Sequence, residues 1–257
     1  MRLVKSSYKI HTGSFGRSVR FALLSDLHSK EGRKIDGIIK LVAEARPDYI
    51  LMPGDIFERL DGTLQSDKES GYELIRRSRE IAPVIYSIGN HENGGIRSWD
   101  KLKWNKIKCI PKYYAPADVE KIEGSGAVIV DDGYVVIDGI AFGGVASGLI
   151  NISRGPLLDW IDGFCALDMP KVLLCHHPEY YPEYLKGRDI DLIVSGHAHG
   201  GQWRVFGRGV FAPGQGLFPK YTEGVHDGKL VVSRGLKPSG VIPRFFNPPE
   251  VVIIDVE

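Results

Sequence analysis

The sequence predicts an α/β domain, and two features carry that prediction. Short apolar runs bounded by glycine, proline or polar residues indicate buried strands, and amphipathic stretches that end near proline indicate helices between them. Because the two kinds of element alternate, we expect strands that run largely parallel within a sheet. No internal repeat, low-complexity linker or shift in composition divides the 257 residues, which predicts a single domain over 1–257.

The predicted elements follow in chain order. Five apolar runs predict strands: VRFALLS, DYILMP, PVIYSIG, KVLLC and DLIVSG. The stretches KIDGIIKLVAEA, before Pro47, and DKESGYELIRRSREIA, before Pro83, have apolar residues three and four apart and predict helices. The segment GAVIVDDGYVVIDGIAFGG predicts antiparallel hairpins with turns at DDG and DG, and the later HDGKLVVSRG and PPEVVIIDV repeat that pattern.

Charge and cysteine usage restrict the class of protein. The 33 basic residues nearly balance the 32 acidic ones, so the net charge of +1 predicts no broad attraction to nucleic acid or to an anionic membrane. Cys109, Cys165 and Cys175 form no CxxC pair, which fits a reducing compartment. The sequence has neither a signal-like apolar start nor a run of about 18 apolar residues. We therefore expect a cytoplasmic protein without a transmembrane segment, either a monomer or a small homo-oligomer, for which peripheral membrane contact stays open.

Polar residues follow the predicted strands at once. They are Asp26 and His28 in SDLH, Asp55 in PGD, Asn90 and His91 in GNHE, His176 and His177 in CHHP, and His197 and His199 in GHAHGG. Taken singly, such residues cap helices, form turns or sit hydrogen-bonded in a core. Ligands of open α/β sheets bind beyond the carboxyl ends of the strands, however, so these clusters are expected to converge.

The chemistry of this set favours a metal centre. Carboxylate, amide and imidazole donors without cysteine suit Mn, Fe or Zn better than a structural thiolate zinc site. Even seven ligands from this set of nine residues are too many for one ion. Two ions about 3.5 to 4 Å apart need a bridging carboxylate, and such pairs clamp the attacking and leaving oxygens of phosphoryl transfer. We predict that Asp55 is the bridge.

These motifs resemble a known family. SDLH, GD, GNHE, a strand-end histidine and GHAH are similar, in order and spacing from about Phe21 to Gly201, to the motifs of the calcineurin-like metallophosphoesterases. The longer GHAHGGQ, with SRGL and NPPE, resembles the bacterial GHTHGGQ subgroup. The resemblance implies a two-sheet β-sandwich flanked by helices, in four layers αββα, and a dinuclear metal site. It assigns one ion to Asp26, His28, Asp55 and His199, and the other to Asp55, Asn90, His176 and His197.

The resemblance also assigns roles to residues beside the ligands. It places His91 facing the substrate, where it stabilises developing charge or protonates the leaving oxygen. Glu58 stands where phosphatase relatives have an aspartate that orients this histidine, but its extra length leaves open an ordinary surface carboxylate. Arg59 is expected to be solvated rather than to contact phosphate. His176 comes first after its strand and is the expected ligand. His177 is then expected either to lie behind the ligands, outside direct contact with the metal, or to be exposed.

The predicted function is hydrolysis of a phosphate ester, with phosphodiesters or pyrophosphates favoured, by a water or hydroxide held between the metals. The substrate is expected to be a small molecule, and lipid-linked and nucleotide forms both stay open. One alternative is a nuclease or nucleic-acid-processing phosphodiesterase, which the balanced charge disfavours. Another is a catalytically inactive, metal-free binding scaffold, which the intact ligand set disfavours.

Aromatic residues near the carboxyl end allow two interpretations. They lie in segments rich in glycine and proline, GRGVFAPGQGLFPKY and GVIPRFFNPP, and are Trp203, Phe206, Phe211, Phe218, Tyr221, Phe245 and Phe246. They either pack against the second sheet or form an apolar lip beside the metals that accepts the lipid or nucleoside part of a substrate.

Overall fold

The computed structural model describes residues 2–58, 60, 65–92, 115–146, 156–237 and 244–257. Two six-stranded sheets dominate this part of the chain. The first has the order β1 (Val4–Ile10), β16 (Glu250–Val256), β2 (Val19–Leu23), β3 (Tyr49–Met52), β4 (Val84–Tyr86) and β5 (Ala127–Ile129). Strands β2 to β5 run parallel, whereas β16 is antiparallel to β2 and parallel to β1.

The second sheet has a parallel centre with an antiparallel strand at each edge. Its order is β14 (Gly224–His226), β15 (Leu230–Val232), β9 (Leu192–Ser195), β8 (Lys171–Cys175), β7 (Ile140–Val145) and β6 (Gly133–Ile137). Strands β15, β9, β8 and β7 run parallel. Two short hairpins follow β9, namely β10 (Arg204–Val205) with β11 (Arg208–Gly209), and β12 (Phe211–Ala212) with β13 (Gly216–Leu217).

Alternate side chains of the strands supply different apolar cores, as the two-residue period of a strand requires. In β2, Phe21 and Leu23 point between the sheets and pack with residues such as Leu174 of β8. Ala22 points the other way, into a core closed by the helices α1 (Asp36–Ala45), α2 (Gln65–Arg79) and α3 (Pro116–Gly124). The far face of the second sheet is covered by α4 (Ile161–Cys165) and its neighbours. The layers are therefore helix, sheet, sheet and helix, which confirms the predicted αββα sandwich.

The predicted strands and helices are present, but two of the predicted hairpin segments, at DDG and at PPEVVIIDV, do not form hairpins. The chain does not fold back at DDG, because β5 pairs in parallel with β4 of the first sheet and β6 begins the second sheet. The segment that contains Asp131 and Asp132 thus crosses between sheets. The DG turn after Ile137 does join the antiparallel strands β6 and β7, and HDGK joins β14 to β15. PPEVVIIDV forms β16, which lies inside the first sheet rather than in a hairpin.

In the described part of the chain, no helix has both the length and the apolar character needed to cross a bilayer.

Candidate metal centre

Polar side chains gather at one end of the sandwich, where parallel strands of both sheets stop. The first sheet contributes, from the loops after β2, β3 and β4, the residues Asp26, His28, Asp55, Asn90 and His91. The second contributes, from the loops after β8 and β9, the residues His176, His197 and His199. Every predicted ligand lies among the described residues, and each follows the strand end from which it was predicted.

The ligand atoms form two groups. Asp26, His28 and His199 each offer one atom, and the three atoms lie within 4.8 Å of one another. Asp55, His176 and His197 form a second group by the same measure. Asp55 also falls within such a group with His28 and His91. Its carboxylate therefore lies between the two triads.

Several of these atoms are buried without a hydrogen-bond partner among the described residues: His28 Nε2, Asp55 Oδ2, Asn90 Oδ1 and His176 Nε2. Leaving a buried polar atom unpaired costs about 1 to 3 kcal/mol. Asp55 Oδ2 lies 3.8 Å from His28 Nε2 and 3.1 Å from His176 Nε2. Within each triad the oxygen and nitrogen donors lie within 4.8 Å of one another, so the set fits divalent or trivalent cations on both sides of Asp55.

The backbone at these residues is strained. Five of them have positive φ angles: 53° at Asp26, 48° at His28, 55° at Asp55, 64° at His197 and 46° at His199. Residues with a β-carbon avoid this left-handed region, and each costs on the order of 1 to 3 kcal/mol unless the surroundings impose it. Such outliers concentrate at functional sites, so their coincidence with the predicted ligands supports a functional centre here.

Backbone hydrogen bonds hold the strained loops together across the sandwich. The His197 N–H donates to Asp26 Oδ1 at 3.0 Å, which joins a loop of the second sheet to one of the first. The His91 N–H donates to Asp55 Oδ1 at 2.9 Å. Gly196 has no room for a β-carbon, because such an atom would collide with the Asp26 carboxylate. The carboxylate oxygens are thus oriented by the chain itself.

Burial keeps three of the imidazoles neutral. It lowers the pKa of His28 and His197, and it lowers the pKa of His199 to about 3. Neutral imidazole is the form that binds a metal. Burial also disfavours the charged form of His176, but the Asp55 carboxylate outweighs it and raises the pKa of His176 to about 9. The Asp55 carboxylate therefore attracts positive charge at this point, and a cation supplies such charge.

Glu58 contacts two histidines of the site. Its carboxylate lies 3.0 Å from His28 Nδ1 and 3.1 Å from His91 Nδ1. These hydrogen bonds lower the pKa of Glu58. The pKa of His91, which burial would depress, is raised by the hydrogen bond to Glu58. Glutamate is therefore long enough to reach this histidine, whereas the neighbouring Arg59 falls outside the described residues.

His177 is turned toward the site rather than to the exterior. Its Nδ1 lies 3.0 Å from Glu179 Oε1, and the same oxygen lies 3.6 Å from His197 Nε2. The rings of His177 and His197 are 4.2 Å apart. His177 and Glu179 thus lie directly behind a predicted ligand.

Three buried residues that sequence reasoning missed support the ligand loops. Glu92, fully buried, accepts hydrogen bonds from the backbone N–H groups of Ile56 at 2.8 Å and Gly89 at 2.5 Å. Arg244 lies 3.2 Å from His199 Nδ1, and Asn247 donates to the His199 carbonyl at 2.6 Å. Glu92 follows GNH directly, so its motif was visible. Asn247 begins the motif NPPE, but neither it nor Arg244 carries a local signal that points to His199, about 45 residues earlier.

A family model described as calcineurin-like phosphoesterase matches residues 19–201. The chain is 33% identical to a metallophosphoesterase of Aquifex aeolicus, over 94% of this chain and 86% of that protein. It is 27% identical to the metallophosphoesterase YkuE of Bacillus subtilis, over 99% and 83%. It is 28% identical to the bovine "Transmembrane protein with metallophosphoesterase domain", over 72% of this chain.

The chain matches only 41% of the length of that bovine protein. The family match nevertheless spans more than half of the chain and includes all five strand-end loops. The chain therefore belongs to the calcineurin-like phosphoesterases, a family of hydrolases that cleave phosphate esters.

Proposed function

We propose that the protein is a dinuclear metal-dependent phosphohydrolase. Asp26, His28, Asp55 and His199 would hold one ion, and Asp55, Asn90, His176 and His197 the other. The observation that carries this proposal is the position of Asp55, whose unpartnered Oδ2 lies between His28 and His176. One carboxylate shared by two sets of ligands is the arrangement that a metal pair needs.

Manganese, iron or zinc suits the donor set best, because it mixes carboxylate, amide and imidazole without thiolate. When bound, the pair of ions supplies Lewis acidity and activates water as a nucleophile near neutral pH. The chain fixes the orientation of the ligands through the backbone bonds to Asp26 and Asp55. None of its own side chains is required as the nucleophile.

His91 is proposed to act on the substrate rather than on the metals. Its side chain is about one-third exposed, unlike the buried ligands around it, and so faces the space in front of the site. Glu58 accepts a hydrogen bond from Nδ1, so Nε2 can donate to a phosphoryl or leaving oxygen when the imidazole is protonated, a form that the raised pKa of His91 favours. We assign Glu58 to positioning His91 and His28.

Among substrates we favour a phosphodiester or pyrophosphate that is a small molecule, with a lipid or nucleoside portion. Six of the seven aromatic residues singled out from the sequence are at least two-fifths exposed, and only Tyr221 is buried. Their exposure favours the interpretation that these residues form an apolar lip beside the metals over the interpretation that they pack against the second sheet. The nuclease alternative keeps little support, because the net charge is only +1.

We also propose a cytoplasmic location, because the three cysteines are scattered in the sequence and form no CxxC pair, which fits a reducing compartment. The bovine relative is named a transmembrane protein, and that name describes the bovine protein only. Cell fractionation with an epitope-tagged chain tests the location directly.

The test of function is an activity panel with metal analysis. Purified protein is assayed against monoesters, diesters and pyrophosphates, before and after chelation and after re-addition of Mn, Fe or Zn. We expect hydrolysis that disappears on chelation and returns with metal, at a stoichiometry near two ions per chain. Protein that binds no metal, or that turns over substrate equally well after chelation, would support the scaffold alternative or a different mechanism.

A further inference from the structure

The largest exposed apolar side chains concentrate in one region of the described chain. It comprises the two hairpins β10–β11 and β12–β13 and the segment 244–247, which we call the aromatic loops. Their exposed members are Trp203, Val205, Phe206, Phe211, Leu217, Phe218, Phe245 and Phe246. Phe206 is 101% exposed and Phe246 is 86% exposed. Soluble surfaces scatter such residues singly, so a cluster of them indicates an interaction site.

Three of these phenylalanines sit where a phenylalanine is unfavourable. The φ angle is 50° at Phe206, 50° at Phe218 and 53° at Phe246. Phe206 and Gly207 form the two-residue turn between β10 and β11, and both have positive φ. Turns of this kind strongly prefer Asn-Gly, because asparagine tolerates the left-handed region and a bulky residue does not. The chain thus carries backbone strain at three phenylalanines whose side chains are 75% to 101% exposed.

Backbone hydrogen bonds tie the aromatic loops to one another. The Val210 N–H donates to the Trp203 carbonyl at 2.9 Å, and the Phe218 N–H donates to the Val210 carbonyl at 2.8 Å. The Arg204 N–H donates to the Phe245 carbonyl at 3.0 Å. The rings therefore project from one connected body rather than from independent strands of chain.

The aromatic loops themselves carry basic side chains and no acidic one, although Glu223, outside the loops, pairs with Arg204. No aspartate or glutamate occurs from Leu192 to Thr222, although acidic residues make up an eighth of the whole chain. Arg208 and Lys220 in the same segment are exposed. Exposed rings at turn tips with cations beside them are the combination by which proteins insert shallowly into a bilayer whose surface is anionic.

We propose that the aromatic loops dock the protein on an anionic lipid bilayer, with the phenylalanine rings in the interfacial region and Arg208 and Lys220 against lipid phosphates. Docking is a binding property and does not rest on the proposed hydrolysis. Arg244 and Asn247, within the same loops, contact His199 at the candidate metal centre. A docked molecule would therefore hold that centre close to the membrane surface.

Vesicle co-sedimentation tests the proposal on the whole chain. Wild-type protein is mixed with phosphatidylcholine vesicles with and without about one-third phosphatidylglycerol. We expect binding that needs phosphatidylglycerol and weakens with salt, because exposed charges are screened. The double variant Phe206→Asn and Phe246→Asn should bind at least about tenfold more weakly, since each lost ring removes apolar burial. Asparagine suits the left-handed turns, so thermal unfolding should be unchanged or shifted upward.

Matched controls separate docking from general effects. Tyr134→Asn with Val136→Asn removes exposed apolar groups from β6 and should leave binding unchanged. Arg208→Ser with Lys220→Ser should reduce binding, while Lys9→Ser with Lys40→Ser, at two other exposed sites, should not. The proposal is overturned if wild type ignores the anionic vesicles, or if the β6 variant loses binding equally. It is also overturned if sedimentation velocity shows that the loops hold two copies together in a dimer that the phenylalanine variant dissociates.

Discussion

Oδ2 of Asp55 lies 3.1 Å from Nε2 of His176, and the two residues come from different sheets of the sandwich. Both side chains are buried, at 1% and 0% exposure. This contact is where the loops after β3 and β8 meet. A change at Asp55 therefore reaches both halves of the candidate site.

Replacing Asp55 with Asn should abolish turnover and lower the occupancy of both ions. The amide keeps the size of the carboxylate but removes the negative charge that a bridging ligand must supply. Metal content is measured on the purified variant by elemental analysis. Asp162→Asn, whose carboxylate is 86% exposed on α4, is the control and should keep metal and activity. Two ions per chain in Asp55→Asn would show that the bridge is elsewhere.

His91→Ala should reduce the rate by about two to four orders of magnitude, the range for a lost acid or charge-stabilising group, while metal content stays nearly unchanged. The reason is that His91 contacts Glu58 and lies in front of the buried ligands. Loss of metal together with activity would instead make His91 a ligand.

The contact between Glu58 and His91 permits a double-mutant comparison. If Glu58 acts by positioning this imidazole, Glu58→Ala should cost less in kcat than His91→Ala, and adding it to His91→Ala should cost little more. Independent, additive losses would mean that Glu58 works mainly through His28, which it also contacts.

The predicted ligands were accessible from the sequence because each directly follows a short buried strand. Strand ends are marked locally, by an apolar run that stops at glycine or a polar residue, and parallel strands bring their ends together. The crossing at DDG was not accessible. Asp131 and Asp132 look like a hairpin turn, but β5 finds its partner in β4, about 40 residues earlier, and tertiary pairing overrides the local signal. The extent of the single domain over 1–257 stays a prediction.

Glu92 shows the same limit in a side chain. Its place after GNH marks Glu92 as part of a motif. Its function, however, depends on hydrogen bonds that its carboxylate accepts from the backbone N–H groups of Ile56 and Phe57, which lie 36 and 35 residues earlier in the sequence. Only the folded loops reveal that one carboxylate joins the segment carrying Asp55 to the segment carrying Asn90.

Glu92→Ala should therefore lower the free energy of unfolding by about 3 kcal/mol or more, because at least three buried N–H groups lose their acceptor. It should also weaken metal binding, since both loops lose their shared anchor. Chemical denaturation and metal titration measure the two effects. Glu120→Ala, an exposed position on α3, is the control and should change neither. Unchanged stability in Glu92→Ala would contradict the anchoring role.

The last prediction concerns the aromatic loops as part of the substrate site. Phe245 and Phe246 follow Arg244, which contacts His199, so their backbone lies close to the candidate metal centre. If they form a lip, an apolar group remote from the reacting phosphorus raises the rate through binding energy used in the transition state. Two phosphodiesters with the same leaving group, one with a long alkyl or aryl substituent and one with methyl, should then differ in kcat/KM by about tenfold or more.

The double variant Phe245→Ala with Phe246→Ala should narrow that difference in kcat/KM without changing the metal content. The control Tyr134→Ala, on β6, should leave the difference in kcat/KM as it is in wild type. Short soluble substrates below their aggregation limit keep this measurement separate from membrane docking. Equal kcat/KM for the two diesters in wild type, or the same difference in the double variant, would remove the rings from the substrate site. Equal values in wild type would mean that the apolar group contributes no binding energy to the transition state, whereas an unchanged difference in the double variant would mean that another part of the protein contacts that group.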